Sequence, residues 1–203
     1  MYPLGSYDRM VHEIKRRENR DIPVTFGILI ADYRQQINRE YILNYIEQFN
    51  YKSDRYINFY LPGYLEENFS DKNEEIIIGD KKYYFSAHIY IEFLRKLEED
   101  FDIEYPYTPI LLLIEYNKGH FSFSNKVRIE LDIESANIKR TGNLFEKIFS
   151  IAQKEVNLKE ITINLKKEEF KSGILDSLVK AIDNGFISAV YDNSKNIRKY
   201  QII

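Results

Sequence analysis

The sequence predicts an α/β fold with a mixed sheet and flanking helices. Three observations carry that expectation. Short apolar runs rich in β-branched residues alternate with segments of helical spacing, as layered α/β domains require. Residues Ile110 to Ile114 are consecutive aliphatics, which suit a central strand covered on both faces. Further stretches alternate apolar and polar residues around turn signals, so hairpins are expected and a purely parallel sheet is not.

Taken in order, Tyr7 to Arg20 reads as a charged helix with Met10, Val11 and Ile14 on one side. Its basic cluster, Lys15, Arg16, Arg17 and Arg20, reads as a solvated face. Pro23 opens a strand from Val24 to Ala31, and Asp32 ends it. Ile37, Tyr41, Tyr45, Ile46 and Phe49 recur at helical spacing, which predicts an amphipathic helix over 37–49. Tyr56 to Leu61 is a second strand, stopped by Pro62-Gly63. Strand, helix and strand in this order form a βαβ candidate.

Glu75 to Ile78 and Lys81 to Phe85 flank Gly79-Asp80, a two-residue hairpin turn with Gly supplying positive φ. Ser86 then caps a helix whose apolar face carries Ile89, Phe93, Leu94 and Leu97. Pro106 and Pro109 bracket a loop before the aliphatic strand. Asn117-Lys118-Gly119 makes a turn. Phe121, Phe123, Val127, Ile129, Leu131 and Ile133 alternate beyond it, as a hairpin with one wet face or an edge pair of the sheet. Leu144, Ile148 and Ile151 mark a helix, and Ile161, Ile163 and Leu165 a strand. Ile174, Leu178 and Ile182 mark another helix with Gly185 as its C-cap, and Ile187 to Tyr191 a final strand. No repeat or low-complexity linker divides the chain, so 1–203 reads as a single domain with a candidate hinge near 134–142. Assembled, these elements predict a Rossmann-like three-layer core with β-hairpins attached.

Composition removes whole classes of chemistry. The chain has no cysteine, which excludes disulfides, thiolate nucleophiles and Cys-ligated metal sites. A net charge of −3 argues against a broad basic face for duplex nucleic acid. No apolar run is long enough to span a membrane, and Met1 to Met10 lacks an apolar signal core, so a cytoplasmic protein is expected. The 17 tyrosines fit the codon usage of an AT-rich bacterial genome, with an aromatic binding surface as the functional alternative. There is no dinucleotide-type glycine turn, no phosphate-binding loop, no nucleophile elbow and no zinc helix. His12, His88 and His120 are far apart in sequence, so a His-rich metal site is not expected; no residue is assigned to a metal, and the sequence leaves any cofactor open.

What remains is positional. In open α/β sheets, ligands sit outside the carboxyl ends of the strands. Those ends carry Asp32, Tyr33 and Arg34, then Pro62, Gly63 and Tyr64, then Glu115, Tyr116 and Asn117. Ser86 and His88 begin a helix, where free N–H groups favour an anion. Glu92 lies one turn after His88 and can share a proton with it. Glu115 follows the aliphatic run directly, so burial would raise its pKa into a useful range. Asp32, His88, Glu92 and Glu115 are therefore the catalytic candidates, and Arg34, Gly63, Tyr64, Ser86, Tyr116 and Asn117 the ligand-binding ones. Each has a plainer reading: Asp32 as a turn cap, Gly63 as a turn residue, His88 and Glu92 as an exposed helix pair.

Three functions follow. In the first, these side chains surround a nucleotide-like small molecule. Arg34 or the helix start at Ser86 holds phosphate, and a carboxylate stabilises an oxocarbenium charge. In the second, the chain is a non-catalytic interaction subunit or homo-oligomer that offers its hairpins to a protein partner. In the third, Glu115 with Lys118 and Asp102 holds Mg²⁺ as a nuclease, although the acidic-x-Lys spacing is not met.

The stretches Phe59-Tyr60-Leu61-Pro62-Gly63-Tyr64 and Leu111-Leu112-Leu113-Ile114-Glu115-Tyr116 resemble a pattern in uncharacterised bacterial proteins, some from antiviral-defence gene neighbourhoods. The likeness covers about residues 24–133 and contains no motif of known chemistry. It implies a context, an antiviral-defence component, and assigns no catalytic residue.

Overall fold

The computed structural model describes residues 2–17, 23–40, 57–78, 81–101, 109–130, 146–153 and 157–164. Strand β1 (Tyr2–Leu4) leads into helix α1 (Tyr7–Arg17), and Ser6 caps it by accepting the Arg9 N–H at 3.2 Å. Tyr7, Met10 and Ile14, three and four residues apart, form its buried stripe. Strand β2 (Val24–Ile30) is followed by α2, helical over 36–40. Then come β3 (Asn58–Pro62), β4 (Tyr64–Leu65), β5 (Glu74–Ile78), β6 (Lys81–Phe85) and α3 (Ala87–Phe101). Strands β7 (Ile110–Asn117) and β8 (His120–Glu130) precede α4 over 146–152 and α5 over 158–164.

The expected mixed sheet is present. Its order is β1-β3-β2-β7-β8. Strands β1, β3 and β2 run parallel, as the βαβ reading requires, whereas β7 and β8 run antiparallel. The aliphatic run sits in β7, between β2 and β8, and Ile110 to Ile114 are each 0% exposed. Helices cover both faces. On one, Phe149 of α4 meets Phe59 edge-on at 5.2 Å, in the same row set as Thr25 and Glu115. On the other, Arg17 of α1 donates to Asn58 Oδ1 at 2.7 Å, and Phe101 of α3 meets Phe121 at 5.5 Å. The antiparallel β7 and β8 set this layered arrangement apart from an all-parallel doubly wound sheet.

A second sheet, β4-β6-β5, is antiparallel throughout. Its hairpin pairs Ile78 with Lys81, so the loop has the expected two residues, which themselves lie outside the described set. Tyr64, Phe85 and Glu74 pair across this sheet in one row. The rings of Tyr64 and Phe85 meet Tyr33 at 6.2 and 6.0 Å, so the small sheet packs over the carboxyl end of β2.

Two sequence expectations change, and a third, the turn at Asn117-Lys118-Gly119, is met. The apolar face of α3 is Tyr90, Phe93, Leu97 and Phe101, whereas Ile89 and Leu94 are half-buried, so the stripe is rotated and Tyr90 joins it. Strand β8 returns directly on β7 through a turn with Lys118 at φ 50° and Gly119 at φ 84°, both positive as a tight hairpin demands. Over 161–164 the expected strand is helix α5. Asn157 Oδ1 accepts the Glu160 N–H at 2.9 Å, and Thr162 Oγ1 donates back to the Leu158 carbonyl at 2.7 Å. Leu158 and Ile161 are both buried at a spacing of one turn. A polar cap and that spacing outweigh a short apolar alternation. The hinge candidate at 134–142, the helix beyond residue 40, and the helix and strand expected after residue 164 lie outside the described residues. No helix among the described residues is long and apolar enough to cross a membrane.

Candidate functional site

Parallel pairing brings three strand ends to one side. Leu4 pairs with Pro62 and Ile28 with Tyr60, so the carboxyl ends of β1, β3 and β2 lie together. The Tyr64 hydroxyl donates to the Ala31 carbonyl at 3.1 Å and ties two of these ends to each other. Asp32 follows at once. Its Oδ1 accepts the Arg34 N–H at 3.0 Å, a local turn that Asp favours. The same geometry brings the Arg34 guanidinium back onto the carboxylate, with Nε at 3.0 Å from Oδ1 and Nη2 at 2.6 Å from Oδ2. This fork leaves the Nη1 donors free of the pair. The Asp32 side chain is 13% exposed and that of Arg34 45%, so the pair faces outward from a mostly buried base.

Gly63 and Ser86 hold the other side of the site. Gly63 has φ +80°, its N–H donates to Leu4 O at 3.3 Å, and its carbonyl accepts the Ser86 N–H at 2.8 Å. A Cβ there would lie 2.7 Å from the Tyr90 Cβ. Glycine is thus required both by backbone conformation and by the approach of α3. Ser86 caps α3, with Oγ facing the Ile89 N–H at 3.5 Å and its carbonyl accepting the Tyr90 N–H at 3.0 Å.

An aromatic base underlies the charges. Phe85 contacts Tyr64 at 5.0 Å and Tyr90 at 5.6 Å. Burial, joined by nearby Tyr90, Asp32, Tyr33 and Glu74, pushes the Tyr64 hydroxyl well above the ordinary tyrosine range. Burial also raises Tyr90, with Asp32 adding to the rise and Arg34 opposing it. Both hydroxyls therefore stay protonated donors near neutral pH. Arg39 stacks over the Tyr33 ring at 4.9 Å, and its guanidinium lies 3.9 Å from Glu74. Asp32, Arg34, Arg39 and Glu74 thus supply two charges of each sign around protonated tyrosines.

The catalytic candidates do not converge. Strand β7 is antiparallel, with Glu115 paired to Thr25 and Tyr116 to Val24, so its carboxyl end lies beside the start of β2. Seven residues along β2 separate that row from Asp32, about 23 Å at strand rise. Glu115, Tyr116 and Asn117 therefore cannot share a ligand of ordinary size with Asp32, and the grouping expected from strand ends is corrected to that extent. Glu115 is 6% exposed, and its Oε2 accepts the Leu158 N–H at 2.9 Å, at the start of α5. His88 and Glu92 are exposed on α3, and His88 contributes its backbone to the first helical turn. Lys118 is exposed in the hairpin turn, and Asp102 lies outside the described residues. Among the described residues, no group of three His, Asp or Glu side chains is placed to hold a metal ion.

The structure adds Arg39, Glu74 and Tyr90 to the strand-end group and sets the ring of Tyr33 against Tyr64, Phe85 and Arg39. Only Tyr90 had a legible signal: it stands four residues after the capping Ser86, on the first turn of the helix. No family model, curated protein or solved structure matches the chain.

Proposed function

We propose that the chain binds a nucleotide-like small molecule at the carboxyl ends of β2 and β3. The observation that carries this reading is the meeting of the Asp32–Arg34 pair with the capped start of α3 over a base of buried tyrosines. Asp32 accepts hydroxyl donors of a sugar, and Arg34 with the α3 terminus suits an anionic group. The sequence resemblance adds a context, a component of antiviral defence in a bacterial cytosol. The test is a thermal-shift panel of nucleotides, NAD and divalent cations. A ligand at a hundredfold excess over Kd stabilises by about 2.7 kcal/mol, or roughly 5–10 °C in Tm for a chain of this size. The reading predicts a nucleotide shift that disappears in Arg34→Ala. A panel without any nucleotide shift, or a shift untouched in that variant, overturns it.

A second reading, a subunit that docks a protein partner, rests on apolar exposure. Ile77 is 65% exposed on β5, an outer strand of the small sheet, and Phe69 is 74% exposed in the preceding loop. Sedimentation of the purified chain checks it: self-association weakened by Ile77→Lys supports docking, and a monomer at all concentrations removes the homo-oligomeric form.

A further inference from the structure

Among the described residues, β1 and β8 border the larger sheet, and β4 and β5 the smaller one. Three of these edges are poor templates for a further strand. Strand β1 is short and holds Pro3, which lacks a donor; β4 is Tyr64–Leu65 alone; and the register of β8 on β7 shifts between Ile114 and Tyr116. Strand β5 differs. It pairs with β6 in unbroken register from Glu74 to Ile78, contains neither proline nor glycine, and ends in three consecutive isoleucines.

The register decides which backbone groups of β5 face outward. The Ser86 N–H donates to the Gly63 carbonyl, so Tyr84 and Lys82, in phase with Ser86, turn their backbone groups toward β4. Tyr83 and Phe85 turn theirs toward β5, where they meet Ile76 and Glu74. Glu75 and Ile77 therefore present N–H and C=O to the open edge. Their side chains stand on the outer face, Glu75 half-exposed and Ile77 65% exposed. Lys82 lies beside them, with Nζ 3.0 Å from Glu75 Oε1.

An open edge takes a strand, and the charge pattern selects a second copy of this one. Antiparallel pairing about a two-fold axis at Ile76 sets each Glu75 opposite the partner's Ile77. Both outward residues of each copy then exchange their N–H and C=O groups. On the outer face, each Glu75 falls between its own Lys82 and, across the partner's Ile77, the partner's Lys82. Carboxylates and ammonium groups thus alternate along the join. Sliding the register by two residues one way opposes Glu75 with its own counterpart, like charge to like charge. Sliding it the other way sets Glu75 opposite the hairpin turn, beyond the end of the strand.

We propose that β5 is a homodimerisation edge, through which two copies join their small sheets into one antiparallel sheet with Glu75 paired to the partner's Ile77. This rests on the docking reading above and narrows its occupant to a second copy of this chain.

Sedimentation of the full chain and cysteine cross-linking test it together. The wild type should show a monomer–dimer equilibrium. Ile77→Pro removes an outward N–H and no bond to β6, so the far-ultraviolet circular dichroism should hold. The dimer should weaken at least about tenfold, because two-fold symmetry deletes two backbone hydrogen bonds at once. Ile77→Thr keeps the N–H and should weaken it less than the proline does. The chain has no cysteine of its own, so single cysteines report cleanly. A mixture of Glu75→Cys and Ile77→Cys should form the intermolecular disulfide at least tenfold faster than either variant alone, since directly paired residues stand about 5.5 Å apart at Cα. Faster cross-linking in either variant alone overturns the register. Equal weakening by Ile77→Pro and Ile77→Thr overturns strand addition and leaves docking through the Ile77 side chain standing. A chain that is monomeric at every concentration overturns the second copy and leaves a different protein as the docking partner.

Discussion

Replacing Gly63 by alanine probes the joint on which the strand-end site depends. Two separate costs can be worked out. At φ +80° a side chain suffers the left-handed penalty of about 1–2 kcal/mol. The new Cβ would also lie 2.7 Å from the Tyr90 Cβ and 3.2 Å from the Ser86 carbonyl oxygen, so α3 must move; overpacking of this kind costs about 1–3 kcal/mol. Gly119 is the internal control. It has φ +84° in the β7–β8 turn and nothing within 4 Å of its virtual Cβ, so Gly119→Ala carries the backbone penalty alone. Urea unfolding with unchanged m-values should give a loss of roughly 2–5 kcal/mol for Gly63→Ala and about 1–2 kcal/mol for Gly119→Ala. Because the displaced groups are Tyr90 and Ser86, Gly63→Ala should also weaken any strand-end ligand. Equal stability losses in the two variants would refute the close approach of α3 to β3.

Two further outcomes are expected. Glu115→Ala removes the acceptor of the Leu158 N–H and should cost about 2–3 kcal/mol in the same assay, whereas Glu115→Gln, which keeps an oxygen there, should cost about 1 kcal/mol; a neutral Glu115→Ala would show that the carboxylate does not hold α5. Stability should fall above pH 10. The Tyr64 and Tyr90 pKa values are raised in the folded chain, so their contribution is complete below the unfolded value of 10.0 and is lost as pH rises toward the folded values, by up to about 1.4 kcal/mol per pH unit for each. Tyr64→Phe and Tyr90→Phe should each flatten the urea midpoint between pH 10 and 11, and an unchanged slope would contradict their burial.

Local signals made much of the fold legible. The β5–β6 hairpin pairing, the Ser86 cap, the aliphatic strand at Ile110 to Ile114 and the Asn117-Lys118-Gly119 turn are each written in a few adjacent residues. Strand direction is not. Whether β7 runs with or against β2 depends on partners eighty or more residues apart, and that one unknown misplaced Glu115 by the length of the sheet. Glu115 stands out in the sequence as a carboxylate directly after a buried strand; the expected burial is present, and the Leu158 N–H at the start of α5 donates to it. The strand at 161–165 failed for a related reason, since a three-residue alternation competes poorly with a cap at Asn157. Asp32, Arg34 and Gly63 do come together, because they follow the carboxyl ends of the parallel β2 and β3, and hydrogen bonds to Ala31 and Gly63 tie Tyr64 and Ser86 to them. Arg39 and Glu74 join through a second sheet that the sequence showed only as a hairpin.

The most direct test follows backbone amides by NMR while a nucleoside monophosphate is added to the isotope-labelled chain. The account predicts that Asp32, Arg34, Gly63, Ala87 and His88 shift together and saturably, with Thr25, Glu115 and Leu158 unmoved. Shifts centred on Glu115 and Leu158, or spread without saturation, would contradict a ligand site at the carboxyl ends of β2 and β3.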